Sequence, residues 1–126
     1  MATLKISDLS VGDWVRFRGL DYQVKGIDGT FERVTLIGNK EQRDESIYAL
    51  HPIPISAEIL EKNGWESSSS YWSIYKDNGD YIEIWRDGDK WYLSVNSVEY
   101  TLCDLRWVHQ IQHLMRVWGF DKEINL

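Results

Sequence analysis

The stretch YWSIYKDNGDYIEIWRDGDKWYLSV, Tyr71 to Val95, decides the fold. Seven of its twenty-five residues are Trp or Tyr, and Asn78-Gly79 and Asp87-Gly88 mark two turns between three strand-like runs. The register across the first turn is the decisive choice. A two-residue Asn-Gly loop would pair Tyr75 with Ile82. A turn over Lys76, Asp77 and Asn78 with Gly79 as a left-handed bulge residue pairs Ile74 with Ile82 and Trp72 with Ile84 instead. A one-residue slip exchanges the two faces of a strand, so the apolar residues favour the bulge. One face is then Trp72, Ile74, Ile82, Ile84, Trp91, Leu93 and Val95, a core. The other carries Tyr71, Ser73, Tyr75, Tyr81, Glu83, Trp85, Tyr92, Ser94 and Asn96, and needs a different explanation.

Upstream of this meander, HPIPISAEILEKNGW predicts an extended connector at Pro52 and Pro54 and then a helix. Ser56 is its N-cap, Ile55 and Leu60 stand at the hydrophobic-staple positions, and Gly64 is the left-handed stop, followed by Trp65 where it can fold back on Leu60. Downstream, a second helix is expected from Asp104 as N-cap to about Trp118, with Leu105, Val108, Ile111, Leu114, Met115 and Trp118 on one side and Arg106, His109, Gln110, His113 and Arg116 on the other. The tail EINL reads as a last edge strand and Ser67 to Ser70 as a loop.

The first third contains four short strand candidates, DLSVGDWVRF, LDYQVKGID, FERVTLIG and ESIYALHPI. Its VGDWVRFRG…YQVKGID arrangement resembles the opening of SH3-like small barrels. The expected fold is therefore α+β: an SH3-like small β-barrel over residues 1–52, then an αβββα lobe over residues 53–126 with two helices on one face of a three-stranded antiparallel sheet.

Composition narrows the functional classes. The 126-residue chain carries a formal charge of −6, and its 14 basic residues divide evenly about Pro52 while 12 of its 20 acidic residues follow it. Neither part holds the Lys/Arg cluster that neutralises phosphates, which disfavours general nucleic-acid binding. A single cysteine, Cys103, allows no internal disulfide and points to a reducing cytoplasm. The absence of a long apolar run argues against a signal peptide or a membrane span.

Catalytic chemistry finds no motif. His109 and His113 stand one helical turn apart, a metal-compatible spacing, but no third ligand follows, and they read as half-exposed residues on a polar helix face. His51 reads as structural and Cys103 as a packed thiol before a helix. Glu83, Asp87 and Asp89 gather at the second turn, where Asp beside Gly has a turn explanation. No catalytic residue, metal ligand or cofactor is assigned. The aromatic face is the stronger candidate, because Tyr and Trp give large rigid contact area with polar tips. It is covered by the barrel lobe, buried between subunits of a homo-oligomer, or used as a ligand platform. Tyr75, Tyr81, Trp85 and Tyr92 would supply ring contacts and Arg86 a charge at the edge, with Arg16, Arg18 and Lys76 as further cations.

The segments Pro52 to Trp65 and Trp107 to Gly119 are similar to segments of small proteins found in Bacteroidetes and their phages and mobile elements, with "IPLTEEILEKNGF"-like and "YVHQLQNLYFALTG"-like helices. That resemblance implies a protein of the bacterial host cytoplasm that acts by binding, sequestering a small nucleotide immune signal or a host protein in an anti-defence role. An oligomeric assembly protein without a small ligand is the alternative, and a metal-dependent phosphodiesterase or nuclease a lesser one.

Overall fold

A computed structural model describes residues 4–96, 98–100 and 105–126, with the backbone alone for 98–100. The architecture is α+β. The chain separates into two compact units: Met1–Pro54 with Trp107–His113 and Leu126, and Ile55–Arg106 with Leu114–Asn125. Among the described residues no helix is long and apolar enough to cross a membrane.

In the first unit β1 (Trp14–Phe17), β2 (Leu20–Asp28), β3 (Arg33–Gly38) and β4 (Glu41–Ser46) form an antiparallel sheet in chain order. Two-residue turns with both central residues at positive φ fix its hairpins: Arg18 and Gly19 (φ 50° and 77°) bring Phe17 opposite Leu20, and Asn39 and Lys40 (φ 50° and 63°) bring Gly38 opposite Glu41. The second turn corrects the expected fourth strand. It sends the chain straight back, so EQRDES pairs with β3, although that strand carries no apolar alternation. Ile47, from the run expected to be a strand, instead begins a short 3-10 turn to Ala49. Charged residues suit an edge strand, whose outer backbone groups remain open. The expected barrel is not closed. After the 3-10 turn the chain meets β1 through one bridge, with Arg16 N–H donating to His51 O (2.8 Å) and His51 N–H to Arg16 O (2.9 Å). The core beneath the sheet gathers Val15, Phe17, Tyr22, Val24, Val34, Leu36, Ile47 and Leu50.

In the second unit α1 (Ala57–Lys62) forms as its caps dictate. Ser56 Oγ accepts from Ile59 N–H at 3.2 Å, Gly64 turns left-handed (φ 82°), and Trp65 N–H reaches back to Leu60 O at 3.1 Å. The sheet has five antiparallel strands in chain order rather than three: β5 (Glu66–Ser68), β6 (Tyr71–Tyr75), β7 (Tyr81–Asp87), β8 (Lys90–Val95) and β9 (Val98–Tyr100). Two of the four serines expected to form a loop thus lie in β5, and Ser69 (φ 46°) turns the chain. The central register is the bulged one: Ile74 faces Ile82, Trp72 faces Ile84, and Gly79 (φ 94°) donates its N–H to Lys76 O at 3.0 Å. Ile74, Ile82, Ile84 and Leu93 are 0–3% exposed. The EINL tail is not a strand. It is held by Asn63, whose side chain accepts from Asn125 N–H (2.7 Å) and donates to Asn125 O (2.8 Å), while Ile124 is buried.

Helix α2 (Val108–Val117) begins later than expected. Before it, Trp107 bridges Pro54 and Val108 N–H donates to Ile53 O at 2.8 Å, so this segment is used as an extended partner of the proline connector. Asp104 and Cys103 lie outside the described residues. The helix ends as its sequence implies, with Gly119 at φ 72° and Phe120 N–H donating to Met115 O at 2.8 Å.

Strand parity is directly testable. Ile84→Ala should lower the unfolding free energy by about 2–5 kcal/mol, because it leaves a cavity in a fully buried site. Tyr75→Ala, on the opposite parity and half exposed, should cost less than about 1.5 kcal/mol. Urea titrations of both variants check this; equal losses would contradict the register.

Candidate functional site

The face of β5–β9 opposite the aliphatic core is built in cross-strand rows. Tyr75 faces Tyr81; Ser73 faces Glu83, which faces Ser94; Tyr71 faces Trp85, which faces Tyr92. Directly opposed residues on one sheet face touch, which sets the ring geometry. Tyr75 and Tyr81 have centroids 5.3 Å apart and planes at 34°, and Trp85 stacks on Tyr92 at 5.7 Å and 16°. Residues four apart along a strand stand about 13 Å apart, so the two aromatic rows are ridges with the serine–glutamate row midway between them. Ser73 and Ser94 are each 5% exposed. Glu83 lies at the centre of that row, which Glu66 begins at its exposed edge opposite Ser73, and Glu83 is half-buried. No hydrogen bond or ion pair reaches it among the described residues.

Tyr75, Tyr81, Trp85 and Tyr92 thus share the face that parity predicts. Arg86 does not. It follows the opposite parity, its guanidinium lies 5.5 Å from the Trp91 ring centroid, and its Nε donates to Gly88 O at 2.8 Å. Lys76 is also committed elsewhere: Nζ donates to Trp118 O at 3.0 Å, at the end of α2, and lies 5.7 Å from the Phe120 ring. Arg16 pairs with Asp21 at 3.0 Å, and Arg18 lies 5.0 Å from the Phe17 ring. The described residues of the face therefore carry Glu66, Glu83 and Asp87 against a single cation, Lys90, which stands opposite Asp87 at its end.

A second polar cluster lies in the first unit, where the sequence showed only a turn and a polar helix face. Asp13 is wholly buried. Its Oδ2 accepts from Ser10 N–H at 2.7 Å and lies 2.6 Å from His113 Nε2, which donates to it when the carboxyl is ionised. Gln112, 1% exposed, accepts from Trp14 N–H at 3.0 Å and donates to Gly12 O at 3.0 Å, supplying hydrogen bonds at the start of β1. His109 is 5% exposed, not half exposed as expected, and its Nδ1 is buried without a partner. The two imidazoles stand 5.8 Å apart at 70° and border a cleft of about 350 Å³ with Leu4, Ser7, Asp8, Trp107 and Gln110. Among the described residues no three metal-ligating side chains converge. One hundred residues separate Asp13 from His113, and no local pattern in the sequence links them. The only available signal was a Gly-Asp turn opposite a helix bearing two histidines.

Comparison with protein-family models, curated proteins and solved structures finds no match for the chain.

Burial pushes the His109 imidazole below its ordinary pKa; His113 pushes the same way, while Asp13 and Asp8 pull it back up. The unfolded chain takes up a proton near the usual imidazole value of about 6.5, and the folded chain takes it up only at lower pH. Stability from this residue is therefore full above that value and falls as the pH drops below it. Urea midpoints measured from pH 7.5 to 5 should decline in the native protein and less steeply in His109→Leu. Asp13→Asn should cost about 1–3 kcal/mol at neutral pH through the weakened Ser10 and His113 bonds.

Proposed function

We propose that this chain is a non-catalytic binding protein whose aromatic sheet face recognises another protein. The observation that carries the reading is the pair of aromatic ridges, Tyr75–Tyr81 and Trp85–Tyr92, on a face whose aliphatic reverse is already the core. In this reading the helices cover the aliphatic side. The first unit is an SH3-like lobe, a reading supported by the chain's return to β1 at His51 after a 3-10 turn. Rigid amphipathic rings in a shallow polar setting are what protein interfaces concentrate at their centres. The resemblance to small proteins of phages and mobile elements fits a role in sequestering a host protein.

Glu83 bears on the other occupants. A nucleotide phosphate over this face would meet an unpaired carboxylate, with Arg86 and Lys76 engaged elsewhere. A second copy docked with its two-fold axis through Glu83 would set the two Glu83 carboxylates against each other, and any two-fold pairing of this face would bring together two patches with the same acidic excess.

A displayed library of random twelve-residue peptides tests the reading. Selection on the native protein, after depletion on the Trp85→Ser variant, should enrich binders that need the face. A library that yields none overturns it, as does a stable dimer in sedimentation that Trp85→Glu dissociates.

A further inference from the structure

A half-buried carboxylate without a partner is a poor structural choice in the middle of a strand. Glu is among the residues depleted from strands, and a charge withdrawn from water without compensation costs free energy. Glu83 lies in β7, which is flanked on both sides by paired strands, and neither cross-strand neighbour, Ser73 nor Ser94, is a cation. A Thr at that position would form the same ladder and bury no charge. Arg86 and Lys76 are engaged elsewhere and Lys90, the one cation on this face among the described residues, stands opposite Asp87 four residues along β7 from Glu83, so no described cation pairs with Glu83.

Resting on the reading of this face as a protein-recognition surface, we propose that the trough over Glu83 is the binding site for an arginine side chain carried by a basic segment of the partner. Three features match that group. The carboxylate accepts the two parallel N–H bonds of a guanidinium fork. The Trp85–Tyr92 and Tyr75–Tyr81 rows flank Glu83 on either side along the strand, and aromatic rings attract a guanidinium. The flanking residues Ser73 and Ser94 are short and uncharged, so neither supplies a cation that would compete for the carboxylate. The face carries an acidic excess in a chain of net charge −6, which steers a basic segment toward it.

The test uses the peptide Gly-Arg-Gly-Arg-Gly and its citrulline counterpart, which keeps the shape and loses the charge. Each is titrated to millimolar concentration into the intact chain at 150 mM salt and followed by NMR chemical shifts. The arginine peptide should bind at least about 10-fold tighter than the citrulline peptide, with shifts centred on Glu83, Trp85 and Tyr92. Glu83→Gln should abolish the preference, whereas Glu61→Gln, which removes the same charge from exposed α1, should leave it intact. Equal affinity for the two peptides overturns the proposal, and so does a preference that survives Glu83→Gln. The citrulline comparison needs no variant, so it holds even if Glu83→Gln fails to fold. If the library yields Trp85-dependent binders without arginine, recognition by this face stands and the arginine site falls; if it yields no Trp85-dependent binder, the reading of the face itself fails.

Discussion

Everything on the second sheet depends on one residue, Gly79, in a left-handed conformation. At φ 94° it closes the turn through its N–H to Lys76 O, while Lys76 N–H donates to Asp80 O at 2.7 Å, and together these bonds place Ile74 opposite Ile82. Moving the pairing by one residue would exchange every side chain on β6 between core and surface. Each buried aliphatic group on the core side is worth about 1.5–3 kcal/mol, so four of them oppose such a slip strongly. The turn and the burial pattern agree, and the aromatic face is what that agreement leaves over.

The parts of the fold legible in the sequence were those written in adjacent residues. The caps of α1 fall within Ser56 to Trp65, and Ser56, Gly64 and Trp65 each do what their chemistry implies. The bulged hairpin was readable for the same reason. β4 was not, because EQRDES has no apolar alternation; its pairing is imposed by the Asn39-Lys40 turn and by β3, both outside the strand itself. The start of α2 was not legible for the same reason, since Arg106 and Trp107 are held as an extended partner of the distant proline connector. Arg86 leaves the aromatic face because its position has the opposite parity to Trp85, which turns its guanidinium to the Trp91 ring.

The polar cluster of the first unit shows what periodicity cannot see. An amphipathic reading of α2 assigned His109 and His113 to a wet face, but the buried stripe is wide enough to take in His109 and Gln112 beside Val108, Ile111 and Met115. Gln112 serves the start of β1, where Trp14 N–H and Gly12 O take it as their partner. His113 compensates a wholly buried Asp13. Both are long-range compensations: each polar group is satisfied by an element about one hundred residues away, and neither would be stable alone in that position. His109 is the exception, with a buried Nδ1 that finds nothing, and its neutral form is favoured for that reason.

Asp13 and Glu83 pose the same question and receive different answers. Asp13 is fully withdrawn from water, and the fold meets its charge with a backbone N–H and an imidazole at 2.7 and 2.6 Å. Glu83 is only half withdrawn, and the fold supplies it with two small hydroxyl-bearing neighbours and rings on either side, none of which carries positive charge. If Glu83 were there for stability, the neighbouring strands offer Ser73 and Ser94 as positions where a Lys or Arg would pair with it at little cost. A site that leaves the carboxylate without a partner, flanks it with aromatic rows and engages Arg86 and Lys76 elsewhere is arranged for a cation that comes from outside.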